Sequence, residues 1–106
     1  MSMMIEWLKF QVPEPHRETF VQVDEAIWTA ALAQYPGFMG KEVWLSNERL
    51  DEIVFVIQWA TLEAWKSIPN DVLTATDQRF AAALGDIPFK LVEAHAYQLR
   101  KFARSQ

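Results

Sequence analysis

The chain has 106 residues, 51% of them hydrophobic and 13% aromatic, with a net charge of −4 at pH 7 and no Cys. That length holds one domain, residues 1–106, and the composition is that of a packed globular chain, not a disordered one. The missing Cys excludes disulfides and thiolate chemistry, and the negative balance argues against a nucleic-acid partner, which is held through Lys and Arg.

The opening MSMMIEWLKF carries Glu6 and Lys9 and has no basic leader, so it does not read as a signal peptide. No uncharged run reaches the roughly 18 residues of a membrane span, and no membrane partner is expected. The expected location is the cytoplasm. The first strand is IEWLKFQV, with Ile5, Trp7 and Lys9 on one face and Glu6, Leu8, Phe10 and Val12 on the other. Pro13 and Pro15 end it, because neither can donate to a sheet ladder.

From about His16 to Tyr35 the period becomes helical. Phe20, Val23, Ile27 and Ala31 form a stripe that Trp28, Leu32 and Tyr35 widen. Pro36-Gly37 stops the helix. GKEVWLS is the second strand, with Lys41, Val43 and Leu45 opposite Glu42 and Trp44. After a polar loop over 47–51 comes EIVFVIQWA, apolar on both faces and therefore expected to be buried on both.

Thr61 can cap a short helix running to Ile68, with Glu63 favourable in its first turn. Pro69 breaks it. A second helix covers about Asn70 to Leu84, and Gly85 is its stop. The last strand runs from about Phe89 to Arg100. The order strand, helix, strand, strand, helix, strand is the ferredoxin-like α+β plan: a four-stranded antiparallel sheet with its helices on one face.

Such a sheet leaves its second face open, yet every strand here offers large apolar groups to both sides. About ten such side chains at roughly 1.5–3 kcal/mol each leave on the order of 15–30 kcal/mol of burial unclaimed. A second copy, sheet to sheet across a two-fold axis, would claim it, so a homodimer is expected.

The strand ending in FQVP, the long helix, YPGFMGKEVW and the junction IQWATLEAW together resemble the dimeric α+β barrel superfamily. Within it, they resemble the antibiotic-biosynthesis-monooxygenase-like domains. The likeness covers nearly the whole chain and is closer still to a group of small cyanobacterial proteins with no assigned function. It implies a barrel between two subunits and a ligand held between sheet and helices or inside each half-barrel. Members include cofactor-free monooxygenases acting on electron-rich aromatics and haem-degrading monooxygenases.

The haem-degrading branch uses an Asn on the first strand, and a Trp and a His after the third. This first strand has no Asn, and Ile68 and Asp77 stand near the other two positions, so the iron ligand is missing and no cofactor is expected. The cofactor-free branch pairs an Asn with a Trp four residues later on the third strand. Trp59 matches that Trp, but Phe55 stands where the Asn would be.

In VEAHAYQL, alternation puts Glu93, His95 and Tyr97 on one face and Val92, Ala94, Ala96 and Gln98 on the other. The small alanines suit a surface under helices, which turns the Glu-His-Tyr row toward the dimer interior. Two readings stand. In one, His95 is a general base with Tyr97 as donor and Glu93 as orienter; in the other, the row is a polar stripe satisfied across the dimer interface.

Trp59, Phe55 and Trp44 are the candidate walls for a small apolar or aromatic ligand, with packing of the dimer as their alternative role. No metal is expected, since the two His are far apart and lack ligand spacing. The leading functional expectation is a cofactor-independent monooxygenase-like homodimer. The rival is a non-catalytic ligand-binding or structural dimer whose barrel is filled by its own Trp and Phe side chains.

Overall fold

A computed structural model describes residues 2–103. Four strands, β1 (Met4–Gln11), β2 (Phe38–Leu45), β3 (Glu52–Trp59) and β4 (Lys90–Gln98), form one antiparallel sheet in the order β2-β3-β1-β4. Helical segments pack on one face. The architecture is the expected ferredoxin-like α+β fold.

The strands end for local reasons. Pro13 and Pro15 follow β1, and the chain turns through a 3-10 segment at Glu14–His16. The last amide before them, Val12 N–H, donates to the Asp51 carbonyl at 2.7 Å. The central strand β3 is buried on both faces from Ile53 to Ile57, as its unbroken apolar run requires.

The long helix is not one uniform α-helix. It runs as α1 (Arg17–Asp24), a π-helical stretch over Glu25–Thr29, and a last α-turn, α2 (Ala30–Leu32). It ends three residues short of Tyr35, the expected limit. π-helical turns inside helices are uncommon and occur often beside functional sites; this one carries Trp28 and follows the buried Asp24.

Thr61 caps α3 (Leu62–Lys66) as expected, its Oγ1 accepting the Ala64 amide at 3.0 Å. Helix α4 (Asn70–Leu84) ends at Gly85, whose φ of 62° suits a residue without Cβ. Gly37 is required for a different reason. A Cβ placed there would lie 2.2 Å from the Ala64 Cβ, so the turn into β2 and helix α3 touch only because position 37 is bare.

The core lies between sheet and helices in two adjoining clusters. One gathers Val12, Phe20, Ile53, Phe55, Phe80 and Leu84; the other gathers Leu32, Ile57, Trp59 and Ile68. Phe20 stacks on Phe55 with centroids 5.9 Å apart and meets Phe80 edge-on at 5.3 Å. Trp65 packs against the second cluster.

One expectation about β4 needs correction. Ala94 and Ala96 pair with Leu8 and Glu6, so they do lie on the helix side of the sheet. No helix covers them, however, and every residue of β4 is exposed. The helical layer spans β2, β3 and β1 and stops short of this edge. No helix among the described residues is long and apolar enough to cross a membrane.

Candidate functional site: a cavity between sheet and helices

The core does not fill all the space between the layers. A cavity of about 530 Å³ remains, walled by Trp28, Phe55, Trp59, Trp65, Phe80 and Phe89 among others. That volume falls in the range of small-molecule sites, and an apolar wall with a few convergent polar groups is their usual make-up. Phe55, Ile57 and Trp59 line this space without filling it.

Two of its polar groups, Glu6 and Lys41, come from a single row across the sheet, and Asp24, Lys66, Asn70 and Asp77 reach it from the helices. Lys41 on β2 pairs with Ile57 on β3, and Ile57 pairs with Glu6 on β1. Side chains in register share a face, so Glu6 and Lys41 rise on either side of Ile57 into the same cavity. Their Cα atoms stand two strand spacings, about 10 Å, apart, and two long side chains shorten the gap between the functional atoms.

The Trp59 indole Nε1–H donates to Glu6 Oε1 at 3.2 Å. Glu6 Oε2 has no hydrogen-bond partner among the described residues and is not fully enclosed, and Glu6 lines the cavity. Burial pushes the Glu6 carboxyl above its ordinary pKa, against the lowering effect of the Trp59 bond and the charges of Lys41 and Lys66. A half-buried carboxylate with a free oxygen and a raised pKa is equipped to take a proton from a ligand.

Lys41 is buried, with a side chain only 5% exposed. Its ammonium donates to Asp24 Oδ2, from the last turn of α1, and lies 4.2 Å from the centre of the Phe55 ring. Burial pushes the Lys41 ammonium down and the Asp24 carboxyl up, and the attraction within the pair opposes both shifts.

The row expected from VEAHAYQL lies on the other side of the sheet. Glu93, His95 and Tyr97 pair with Lys9, Trp7 and Ile5 on the open face. His95 Nε2 is 3.2 Å from Glu93 Oε1, and its ring sits 5.5 Å from Trp7 and 6.1 Å from Tyr97. Glu93 is engaged mainly by Lys9, at 2.9 Å, and Lys9 reaches Glu52 at 3.4 Å as well. That bond to Lys9, then the one to His95, lowers the Glu93 carboxyl pKa.

Trp44 shares this open face, where its indole donates to Glu42 at 3.0 Å. The six expected site residues are therefore split. Trp59 and Phe55 line the cavity, while Glu93, His95, Tyr97 and Trp44 face away from it. No single ligand of one chain can touch both His95 and Trp59.

Glu6, Lys41 and Asp24 were passed over in the sequence. A signal existed for two of them: Glu6 is the lone charge on the face of Leu8, Phe10 and Val12, and Lys41 is the lone charge on the face of Val43 and Leu45. Among the described residues no cluster of His, Cys, Asp and Glu has the make-up of a metal site.

The antibiotic biosynthesis monooxygenase family model matches residues 3–68. No curated protein matches the chain. Among solved structures, the chain is similar to the monooxygenase from the gene ActVA-Orf6 of Streptomyces coelicolor in complex with nanaomycin D. The TM-score is 0.73 and the identity 16%, over 99% of this chain and 94% of that one. It is also similar to a variant of SnoaB, a cofactor-independent oxygenase from Streptomyces nogalater, with TM-score 0.71 and 16% identity over 99% of this chain and 100% of that one. A conserved protein from Methanosarcina mazei gives a TM-score of 0.62 at 14% identity, over 96% and 95% of the two chains. At such identities the structures show a shared fold, and the family match goes further: the chain belongs to the antibiotic biosynthesis monooxygenase family.

Proposed function

We propose that the protein is a cofactor-independent oxygenase that binds a small, mainly aromatic molecule in the cavity, with Glu6 as the base. One observation carries this reading: a carboxylate lines an aromatic-walled cavity, with one oxygen held by the Trp59 indole and the other without a partner among the described residues. Removing a proton from an acidic C–H or O–H leaves an electron-rich anion able to reduce oxygen. For a benzylic methylene the balance is CH2 + O2 → C=O + H2O, with both electron pairs drawn from the substrate. Trp59 would fix the base, and Phe55, Trp28 and Phe80 would hold the ring.

The row Glu93, His95 and Tyr97 belongs in this reading to the contact between two copies. The open face carries Trp7, Trp44, Tyr97 and Ile5 beside the Lys9–Glu93 pair, a mixture suited to self-association. The absence of Cys supports a cytoplasmic setting.

The test is oxygen uptake with anthrone as the probe. The wild-type chain is expected to speed uptake, and Glu6→Gln, which keeps the shape and loses the base, should slow it about 100-fold or more. Equal rates for the two proteins, or no uptake above buffer by the wild type, would contradict the proposal.

A further inference from the structure

We propose that Lys41, braced by Asp24, selects ligands in which the proton given to Glu6 is conjugated to an oxygen acceptor. The class is that of phenols and enols joined through a π-system to a carbonyl or similar group. This rests on the proposed ligand cavity and adds to it the feature that the ligand must carry.

The argument begins with geometry. Glu6 and Lys41 occupy one row of the sheet, separated only by Ile57, and both line the cavity. Glu6 Oε2 is an open acceptor. An ammonium has three N–H donors and no acceptor. Asp24 takes one of them, and the Phe55 ring stands beside the cation at 4.2 Å. The cavity therefore presents an acceptor at one end of the row and unused donors at the other. A molecule that fills both carries a donor and an acceptor across a flat apolar body.

The charges favour the same class. Glu6, Asp24, Asp77, Lys41 and Lys66 line the cavity, and Glu25 acts on the Lys41 pair from the helix. Asp24 and Lys41 form a neutral pair, and Thr29 favours the charged form of Asp24. A ligand that arrives already charged negative meets the repulsion of a lining with three carboxylates against two ammonium groups. A neutral acid does not. When its O–H proton moves to Glu6 Oε2, the O–H electron pair stays on the ligand and Glu6 becomes neutral, so the total charge of the site is unchanged. Negative charge has only moved along the row, from Glu6 to the ligand and through conjugation to the oxygen beside Lys41. A buried cation held by Asp24 is well placed to stabilise that developing charge.

Asp24 is then a positioning residue. It holds Lys41 in place, and in its charged form, where burial alone would favour the neutral amine.

The probes are 4-nitrophenol, which has an O–H conjugated to an acceptor, and 4-nitroanisole, the same molecule without the proton. Binding is followed by titration, and ionisation by the phenolate absorbance at a pH where free nitrophenol is mostly protonated. Because Lys41→Met alone strands a buried carboxylate, the variant is the double change Asp24→Asn with Lys41→Met, which removes the pair together. The wild type should bind nitrophenol with a phenolate band and bind nitroanisole about tenfold more weakly. The double variant should lose the band and bind nitrophenol about tenfold more weakly, while nitroanisole, which keeps only the neutral nitro acceptor, loses less affinity. A phenolate band and affinity that survive in the folded double variant would overturn the role of Lys41 and leave the cavity standing. Failure of both probes to bind the wild type would overturn the ligand cavity and this inference together.

Discussion

The two faces of the sheet are built from alternate residues of the same strands, and they put the same chemical groups to different use. Glu6 and Glu93 show the contrast most clearly. Both sit on neighbouring strands with an aromatic partner close by. Glu6 is on the helix side, held by the Trp59 indole, and burial raises its pKa. Glu93 is on the open face, paired with exposed Lys9 and His95, and those partners lower it. The lysines divide in the same way: Lys41 is enclosed with Asp24, while Lys9 is shared between Glu52 and Glu93 near solvent. Depth decides which carboxylate is held above its ordinary pKa and which is one end of a surface ion pair.

The largest difference should come from tryptophan. Trp59 is fully buried, and Trp59→Ala should cost about 3–5 kcal/mol in chemical denaturation. Trp44, half exposed on the other face, should cost less than about 1 kcal/mol at protein concentrations where the chain is monomeric. A comparable loss from both would mean that the open face is already packed within one chain. The lysines come next. Lys41→Met leaves Asp24 buried without its partner and should cost about 3 kcal/mol or more, much of it regained when Asp24→Asn is added. Lys9→Met should move the denaturation midpoint little, and what shift there is should fade in salt.

The smallest effect is a pair of opposed pH slopes. A carboxyl whose folded pKa is raised contributes stability below its ordinary 4.5, and that contribution is lost as the pH rises through the folded value. Glu6→Gln should therefore stabilise the fold at neutral pH, with the gain vanishing toward acid. Glu93, lowered from the same 4.5, contributes above it and loses that contribution as the pH falls through its folded value, so Glu93→Gln should have the opposite trend. Stability curves of the two variants across acid to neutral pH check the signs, and parallel slopes would contradict the contrast.

How much of this was legible in the sequence depends on the range of the interaction. The change of period from two to helical gave the element order, and the unbroken apolar run of β3 gave its burial on both faces. Thr61 and Gly85 marked helix ends because their chemistry is local. Alternation alone put Glu93, His95 and Tyr97 on one face. The site needed more. Glu6 and Lys41 were visible as lone charges on apolar faces, but their convergence depends on the β2-β3-β1 register, and Asp24 joins them only through the rotation of a helix packed from above. The exposure of β4 depends on how far the helical layer extends sideways, which no single segment records. Trp59 and His95 fall on opposite faces of the sheet, because alternation orders residues along one strand and says nothing of which face holds a space.

The most direct test sets the two faces against each other in one assay: oxygen uptake with anthrone by Glu6→Gln and His95→Ala, each shown to be folded. The account predicts that Glu6→Gln loses the activity and that His95→Ala keeps it. Activity retained in Glu6→Gln and lost in His95→Ala would move the chemistry to the open face and contradict the account.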